Sequence, residues 1–131
     1  MGANGKLNGW RVLVVEDEAM IATLLESILA DAGCSVVGPI GTVGRALETL
    51  ECDKVDVALL DVSVNGRDAY PIADKLKERN IPMVFVSGFS QQNMPSRYRR
   101  YAYLAKPFEP EAILAMLESV LDRRKRVARA R

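Results

Sequence analysis

The sequence predicts an α/β protein in which five parallel strands alternate with helices in one doubly wound sheet. Five short apolar runs recur along the chain, at residues 11–15, 34–38, 57–60, 82–86 and 101–105. Each run is almost continuously apolar, which is typical of a parallel strand that is covered on both faces. Segments with apolar residues at helical spacing separate most of these runs, and this alternation implies right-handed βαβ units.

The helical segments have recognisable beginnings and ends. Residues 20–29 carry apolar side chains at helical spacing, and Gly33 is expected to end that helix. Thr42 is a suitable N-cap for the second helix. The third helix is predicted at residues 68–79, and the last is expected to open around Pro110, a good first-turn residue.

Two prolines mark breaks in the pattern. Pro39 follows the second apolar run and is expected to end that strand. Residues 90–100 are polar and contain Pro95, which interrupts any long helix there. The fourth helix is therefore predicted to be short or irregular. Residues 64–66, after the third strand, are predicted to form a loop.

The charge is unevenly distributed along the chain. The 131 residues suit one domain, with 49% hydrophobic and 27% charged residues. Residues 123–131 carry six cations and no acid, so residues 1–122 have a net charge of −5, the difference between +1 for the whole chain and +6 for its end. We divide the chain into a flexible lead-in (1–9), a folded domain (10–122) and a basic C-terminal tail (123–131).

Several function classes are excluded or disfavoured by composition. There is no histidine, which excludes histidine triads, histidine metal sites and a phosphohistidine within these residues. Cys34 and Cys52 lack the spacing of a metal or redox motif and are expected to be reduced thiols of a cytoplasmic protein. No apolar run approaches the length of a membrane span, and the N-terminus has no apolar signal core.

Polar residues follow four of the predicted strands. Glu16, Asp17 and Glu18 come directly after the first strand, and Asp61 ends the third. The carboxyl ends of parallel strands share one edge of a sheet, which is where ligands bind in open α/β folds. Two other strand ends supply the remaining polar groups of this edge: Ser87 and Lys106.

The converging acids predict a bound cation. Two carboxylates ~5 Å apart repel each other by roughly 3 kcal/mol at an effective dielectric constant near 20. Oxygen ligands without histidine or cysteine suit Mg²⁺. Lys106 would add a positive charge for a phosphoryl oxygen, and Ser87 would add a hydroxyl donor.

On these residues, the sequence resembles the receiver domain of bacterial two-component response regulators over about residues 10–122. Four motifs carry the resemblance: Val14-Val-Glu-Asp-Glu18, Leu59-Leu-Asp-Val62, Val86-Ser-Gly88 and Tyr103-Leu-Ala-Lys-Pro-Phe108. The resemblance implies a flavodoxin-like (βα)5 fold with strand order 2-1-3-4-5. It also implies a signalling protein that assists its own phosphorylation and dephosphorylation and is otherwise not an enzyme.

The resemblance implies a role for each residue at the metal and phosphoryl site. Asp61 would accept a phosphoryl group from a phosphohistidine of a sensor histidine kinase or histidine phosphotransfer protein. Mg²⁺ would be held by Asp61 and Asp17, by Glu16 through water, and by the backbone carbonyl of Ser63. Lys106 would contact the phosphoryl group, and its bond to the following proline is expected to be cis.

Other residues would transmit or tune the signal. Ser87 is the switch hydroxyl and Tyr103 the aromatic switch residue that the resemblance implies. Ser63 and Phe89 flank the expected path of the hydrolytic water and would tune the rate of dephosphorylation. Glu16 stands where an aspartate is more usual, and Ser87 where a threonine is more usual.

The segment Phe85-Val-Ser-Gly-Phe89 is similar to the signature of a receiver subclass with Phe-Ala-Thr-Gly-Tyr in this position. Members of that subclass are often stand-alone receivers that signal by contact with a downstream protein, so such a partner is expected here. The identity of the partner and the presence of a homodimer are left open.

Other functions remain alternatives at this point. The chain could drain phosphoryl groups from a relay, or be a pseudo-receiver that binds constitutively. A Mg²⁺-dependent phosphohydrolase usually needs a second acid two residues after its nucleophile, where this chain has Ser63. Binding of DNA through residues 123–131 is disfavoured, because cations stabilise the C-terminus of a helix and charged chain ends are commonly solvated. Neither nucleic acid nor a membrane is an expected partner.

Overall fold

The structure is a computed structural model that describes residues 7–88 and 94–130, with the side chains of the last helix described as far as Arg123. Within these residues, seven strands and four α-helices are defined, together with one 3₁₀ turn. They are β1 (Arg11–Val15), α1 (Ala19–Asp31), β2 (Ser35–Ile40), α2 (Val43–Cys52), β3 (Val57–Asp61), β4 (Ser63–Val64), β5 (Arg67–Asp68), α3 (Tyr70–Glu78), β6 (Met83–Ser87), the 3₁₀ turn Ser96–Tyr98, β7 (Ala102–Ala105) and α4 (Pro110–Ala130).

Five of the strands form one parallel sheet in the order β2-β1-β3-β6-β7. In chain order these strands are the first to fifth of the sheet, so the arrangement confirms the predicted order 2-1-3-4-5 and the flavodoxin-like fold. The order reverses between β1 and β3, and this switch point opens a crevice at the carboxyl edge of the sheet. The acids after β1 and at the end of β3 therefore lie beside each other.

The central strands are buried on both faces, as their apolar sequences predicted. All five residues of β3 and all five of β6 are buried. On one face, α2 and α3 cover a core that includes Leu60 and Phe85. On the other, α1 and α4 cover a core that includes Leu59 and Val84. The buried centre of the sheet fixes the positions of Asp61 and Ser87 at the strand ends.

Strand β2 extends further than predicted. It continues through Pro39 to Ile40, so the expectation that Pro39 ends the strand was wrong. The reason is that β2 is an edge strand, where proline is tolerated because one side of the strand needs no partner. The pairing with β1 shifts register between Leu13 and Val15, and the peptide bond before Pro39 is cis.

A small hairpin replaces the loop predicted after β3. Strands β4 and β5 pair antiparallel around Asn65 and Gly66, which both have positive φ angles, of 52° and 77°. The third helix consequently begins at Tyr70, and the prediction that it begins at residue 68 was wrong. The hairpin is short: each of its two strands has only two residues.

The described fold begins before residue 10. Leu7, within the predicted lead-in, is 2% exposed and packs in the core under α1 and α4. Its backbone carbonyl accepts a hydrogen bond from the Cys34 thiol at 3.5 Å. At the other end, helix α4 continues through most of the basic tail, to Ala130.

The region of the predicted fourth helix is irregular where it is described. Residues 94–101 contain a single 3₁₀ turn, Ser96–Tyr98, preceded by Pro95. Residues 89–93, with Phe89, lie outside the described part of the chain. Among the described helices, none combines the length and the apolar character needed to cross a membrane.

Candidate functional site

Four strand ends form the site at the carboxyl edge of the sheet. Asp61 is the last residue of β3 and is 7% exposed, and Glu16 follows β1 and is 3% exposed. Ser87 ends β6 and is fully buried. Lys106 follows β7 directly, with 13% of its side chain exposed. The structure therefore brings together the predicted residues Glu16, Asp61, Ser87 and Lys106.

The ammonium group of Lys106 lies at the centre of three carboxylates. Its Nζ atom is 2.8 Å from Glu16 Oε1, 3.0 Å from Asp61 Oδ2 and 3.1 Å from Glu18 Oε1. The backbone N–H of Lys106 donates a 2.9 Å hydrogen bond to the carbonyl of Ser87, which extends the pairing of β6 and β7 to the site. The lysine is thus fixed at both its backbone and its ammonium group.

Backbone amides orient the two buried carboxylates. The N–H of Ser63 donates to Asp61 Oδ1 at 3.3 Å, while the second oxygen of Asp61 faces Lys106. The N–H of Glu18 donates in the same way to Glu16 Oε2 at 3.1 Å. Each carboxylate therefore has one oxygen held by the backbone and one held by the ammonium group.

The surroundings of the site raise the pKa values of both Glu16 and Lys106. Burial raises the pKa of Glu16 to about 7, because the loss of hydration outweighs the hydrogen bonds from Lys106 and the backbone. Burial alone would lower the pKa of Lys106, but hydrogen bonds to Glu16, Asp61 and Glu18 outweigh it and raise that pKa. Lys106 consequently remains charged at neutral pH.

The acids that lie together are not the set that the resemblance implied. Carboxylate oxygens of Glu16, Glu18 and Asp61 lie within 4.8 Å of one another and could hold a metal ion. Asp17, the expected direct ligand, instead accepts a 2.8 Å hydrogen bond from the backbone N–H of Asn65 in the β4–β5 hairpin. Glu18 was assigned no metal role from sequence, and the only signal for it was its place in the acidic triplet after β1.

The two residues predicted to act as a switch lie on the same side of the sheet. Ser87 lies on β6 and Tyr103 on β7, where Tyr103 is paired with Phe85. The Tyr103 side chain packs against the core under α2 and α3, and its buried hydroxyl has no hydrogen-bond partner among the described residues. The peptide bond between Lys106 and Pro107 is cis, as the resemblance implied.

The chain belongs to the response regulator receiver domain family, since the model of that family matches residues 12–118. The five-stranded sheet and the acid–lysine site at its carboxyl edge are consistent with this membership. The chain is accordingly a component of two-component signal transduction.

Individual relatives support the same assignment. The transcriptional regulatory protein PdtaR of Mycobacterium tuberculosis is 34% identical over 117 residues, which cover 86% of this chain and 57% of PdtaR. The chemotaxis protein CheY of Thermotoga maritima is 29% identical, with 86% of this chain and 98% of CheY covered. The solution structure of SdrG from Sphingomonas melonis Fr1 has a TM-score of 0.77 and 37% identity, covering 86% and 97% of the two chains. The chain spans little more than half the length of PdtaR.

Proposed function

We propose that this receiver domain accepts a phosphoryl group on Asp61 and thereby switches a surface that binds another protein. The observation that carries the proposal is the 3.0 Å contact between Asp61 Oδ2 and Lys106 Nζ at the carboxyl edge of the sheet. The ammonium group is a fixed counter-charge at the place where a phosphoryl group on Asp61 would carry its negative charge.

The proposed reaction is an in-line phosphoryl transfer. A carboxylate oxygen of Asp61 attacks the phosphorus of a phosphohistidine, the P–N bond breaks, and the imidazole leaves with a proton from solvent. Because these 131 residues contain no histidine, the donor lies outside them, on a sensor histidine kinase or a histidine phosphotransfer protein. Lys106 stabilises the oxygens of the transferred group while the backbone N–H of Ser63 holds the carboxylate in place.

We propose Mg²⁺ as the cofactor of this transfer. The donor set fits this ion, since the clustered ligand atoms are carboxylate oxygens. Glu16, Asp17, Asp61 and the carbonyl of Ser63 are the proposed ligands, and Glu18 is close enough to assist. When bound, Mg²⁺ would neutralise negative charge on the carboxylates and the phosphoryl oxygens.

The readout is a change of shape at the side of the sheet that carries Ser87 and Tyr103. The aspartyl phosphate adds about two negative charges beside Lys106. Ser87 then donates its hydroxyl to a phosphoryl oxygen, and Tyr103 moves into the space beside it. A downstream protein that binds one arrangement better than the other shifts the equilibrium between them.

The similarity to the Phe-Ala-Thr-Gly-Tyr subclass supports signalling by protein contact, in the cytoplasm where histidine kinases present their phosphohistidine. Ser63 is proposed to tune hydrolysis because its backbone holds Asp61. Phe89, the second proposed tuning residue, lies outside the described residues.

The proposal is tested by phosphate-affinity gel electrophoresis. Wild type, Asp61→Asn and Asp53→Asn are incubated with a small acyl phosphate, and in parallel with a phosphorylated histidine donor, in Mg²⁺ or in EDTA. Asp53 is an exposed acid that precedes β3 rather than following it, and serves as a matched control. We expect a retarded band for wild type and Asp53→Asn with Mg²⁺ only. Absence of retardation with both donors would overturn the proposal.

A further inference from the structure

Residues 94–101 contact the rest of the protein through buried and partly buried side chains, among them Met94, Tyr98 and Tyr101. Their single 3₁₀ turn provides few backbone hydrogen bonds, among them Tyr98 N–H to the carbonyl of Pro95 at 2.9 Å. Met94 is 2% exposed and Tyr98 is fully buried, and Tyr98 is among the largest fully buried side chains of the described residues. The position of this irregular segment therefore depends on the contacts of its buried Tyr98 ring.

The ring of Tyr98 lies at the centre of an aromatic cluster. It stacks on Tyr70 of α3 with centroids 5.6 Å apart and an interplanar angle of 6°. It meets Phe85 of β6 edge-on, also at 5.6 Å, and Tyr101 at 5.4 Å. Offset stacks and edge-to-face pairs are the favourable arrangements of aromatic rings. The segment is therefore docked between α3 and the sheet by Tyr98, and Tyr101 adds a second contact with the sheet, since its ring stacks on Phe85 with centroids 6.3 Å apart.

Polar contacts close the outer side of the same cluster. The hydroxyl of Tyr98 donates a hydrogen bond to the carboxylate of Asp74 on α3. Arg97 Nε is 3.6 Å from the same carboxylate oxygen, and its guanidinium lies 4.9 Å from the centre of the Tyr98 ring. Burial and the bond to Asp74 raise the pKa of Tyr98 to about 12, so its hydroxyl remains a donor at neutral pH.

These polar contacts are breakable because water reaches them. The side chains of Arg97 and Asp74 are 52% and 55% exposed. Ion pairs at such positions contribute little individually, since water competes for both partners. The bond from Tyr98 to Asp74 joins α3 to the 3₁₀ turn, two elements between which the described residues form no backbone hydrogen bond. Breaking this hydrogen bond would therefore loosen the attachment of the 3₁₀ turn to α3.

The cluster also touches the proposed switch. Phe85 and Ser87 are two residues apart on β6, so their side chains point to the same face of the sheet. Tyr98 contacts Phe85, and Phe85 is paired with Tyr103 on β7. A shift of Ser87 or Tyr103 therefore changes the packing surface on which the Tyr98 ring rests.

We propose that residues 94–101 form a cover latched to α3 by the contact of Tyr98 with Asp74, and that phosphorylation of Asp61 releases it. The release alters the surface formed by α3 and this cover, which is the surface offered to a protein partner. The latch stands on its own contacts, whereas its control by phosphorylation rests on the function proposed above.

Hydrogen–deuterium exchange of the full chain tests both parts. Tyr98→Phe removes only the hydroxyl, and Asp74→Ala removes its acceptor. Glu78→Ala is the matched control, because Glu78 is a 72% exposed acid on the same helix. We expect the amides of residues 96–101 to exchange at least tenfold faster in Tyr98→Phe and Asp74→Ala than in wild type and Glu78→Ala. The amides of β1 should be unchanged in all four proteins.

Phosphorylated wild type, with the modification verified on a phosphate-affinity gel, should show the same local acceleration, and Asp61→Asn under the same conditions should not. Unchanged exchange in both latch variants would overturn the latch. Fast exchange in the variants but not in phosphorylated wild type would overturn its control by phosphorylation. If Asp61 accepts no phosphoryl group, the proposed function fails and the control fails with it, while the variants still decide the latch.

Discussion

The Nζ atom of Lys106 lies 3.0 Å from Asp61 Oδ2 and 2.8 Å from Glu16 Oε1, so two buried carboxylates share one ammonium group as their counter-charge. The three residues lie at the carboxyl ends of three different strands, and they meet because β1 and β3 are neighbours and β7 ends at the same edge. The site is therefore a charge cluster centred on one lysine, and both its stability and the proposed phosphoryl transfer are expected to depend on that lysine.

Replacing Lys106 by alanine is expected to impair both properties. Glu16 and Asp61 would remain buried without their counter-charge, which should lower the free energy of unfolding by about 1–3 kcal/mol in EDTA at pH 8. Phosphorylation by an acyl phosphate should slow by about 10²-fold, the loss typical of a missing transition-state donor. Urea unfolding and gel time courses measure the two effects. Wild-type phosphorylation rates in Lys106→Ala would show that the amine takes no part in the transfer.

Glu16 should make the fold less stable as the pH rises. Its pKa is about 7 in the fold against an ordinary value of 4.5, so the fold prefers the protonated form. The associated stability is fully present below pH 4.5 and is lost as the pH rises through 7. In EDTA, Glu16→Gln should lack this decline and exceed wild type by about 1–3 kcal/mol at pH 8. Urea unfolding from pH 5 to 8 tests this.

The exposed Glu26 provides the control for that experiment, since Glu26→Gln leaves the site intact. We expect Glu26→Gln to keep the slope of wild type. Parallel curves for wild type and Glu16→Gln across the whole range would contradict the assignment of the slope to Glu16.

Calorimetric titration with Mg²⁺ should separate the two candidate ligands that follow Glu16. We expect binding by wild type and a loss of at least about tenfold in affinity for Asp61→Asn and for Asp17→Asn, because each removes a charged oxygen ligand. Glu18→Gln should lose less than about threefold, since the carboxylate of Glu18 is 63% exposed and water can replace it. Equal binding by Asp17→Asn and wild type would instead assign the metal to the cluster of Glu16, Glu18 and Asp61.

Replacing glycine by alanine should change the free energy of unfolding in opposite directions at two positions, Gly66 in the hairpin after β3 and Gly44 in α2. Gly66 has a φ angle of +77°, so Gly66→Ala should destabilise the protein by about 1 kcal/mol although no atom beyond the adjacent residues lies within 4 Å of the added carbon. Gly44 lies within α2 and its added carbon also meets nothing within 4 Å. Gly44→Ala should therefore stabilise the protein by about 0.5–1 kcal/mol. Urea unfolding that gave the same sign for both would contradict the assigned backbone geometry.

Much of the fold was predictable because its strands are continuous apolar runs. The alternation of strands and helices determined the architecture, and the strand ends located Glu16, Asp61, Ser87 and Lys106 at one edge. The strand order required the family resemblance, since periodicity does not report which strands are neighbours. It was the structure that confirmed this order.

Details that depend on local backbone angles or long-range contacts were not predictable in this way. Whether Asp17 or Glu18 faces Lys106 depends on how the chain turns after β1. The Asn65-Gly66 pair is a hairpin signal, but the two-residue strands beside it are too short to show alternation. The hydrogen bond from Tyr98 to Asp74 joins residues that are 24 apart, and Tyr98 lies in a segment whose sequence is polar and interrupted by Pro95.

The most direct test of phosphoryl transfer to Asp61 is to locate the phosphoryl group itself. Protein phosphorylated in Mg²⁺ by a phosphohistidine donor is trapped with borohydride, which reduces an aspartyl phosphate to an alcohol, and the modified residue is identified by peptide mass spectrometry. We expect modification at residue 61 alone, absent in EDTA and in Asp61→Asn. Modification at Asp17 or at another acid, or none when the donor is competent toward a control receiver, would contradict it.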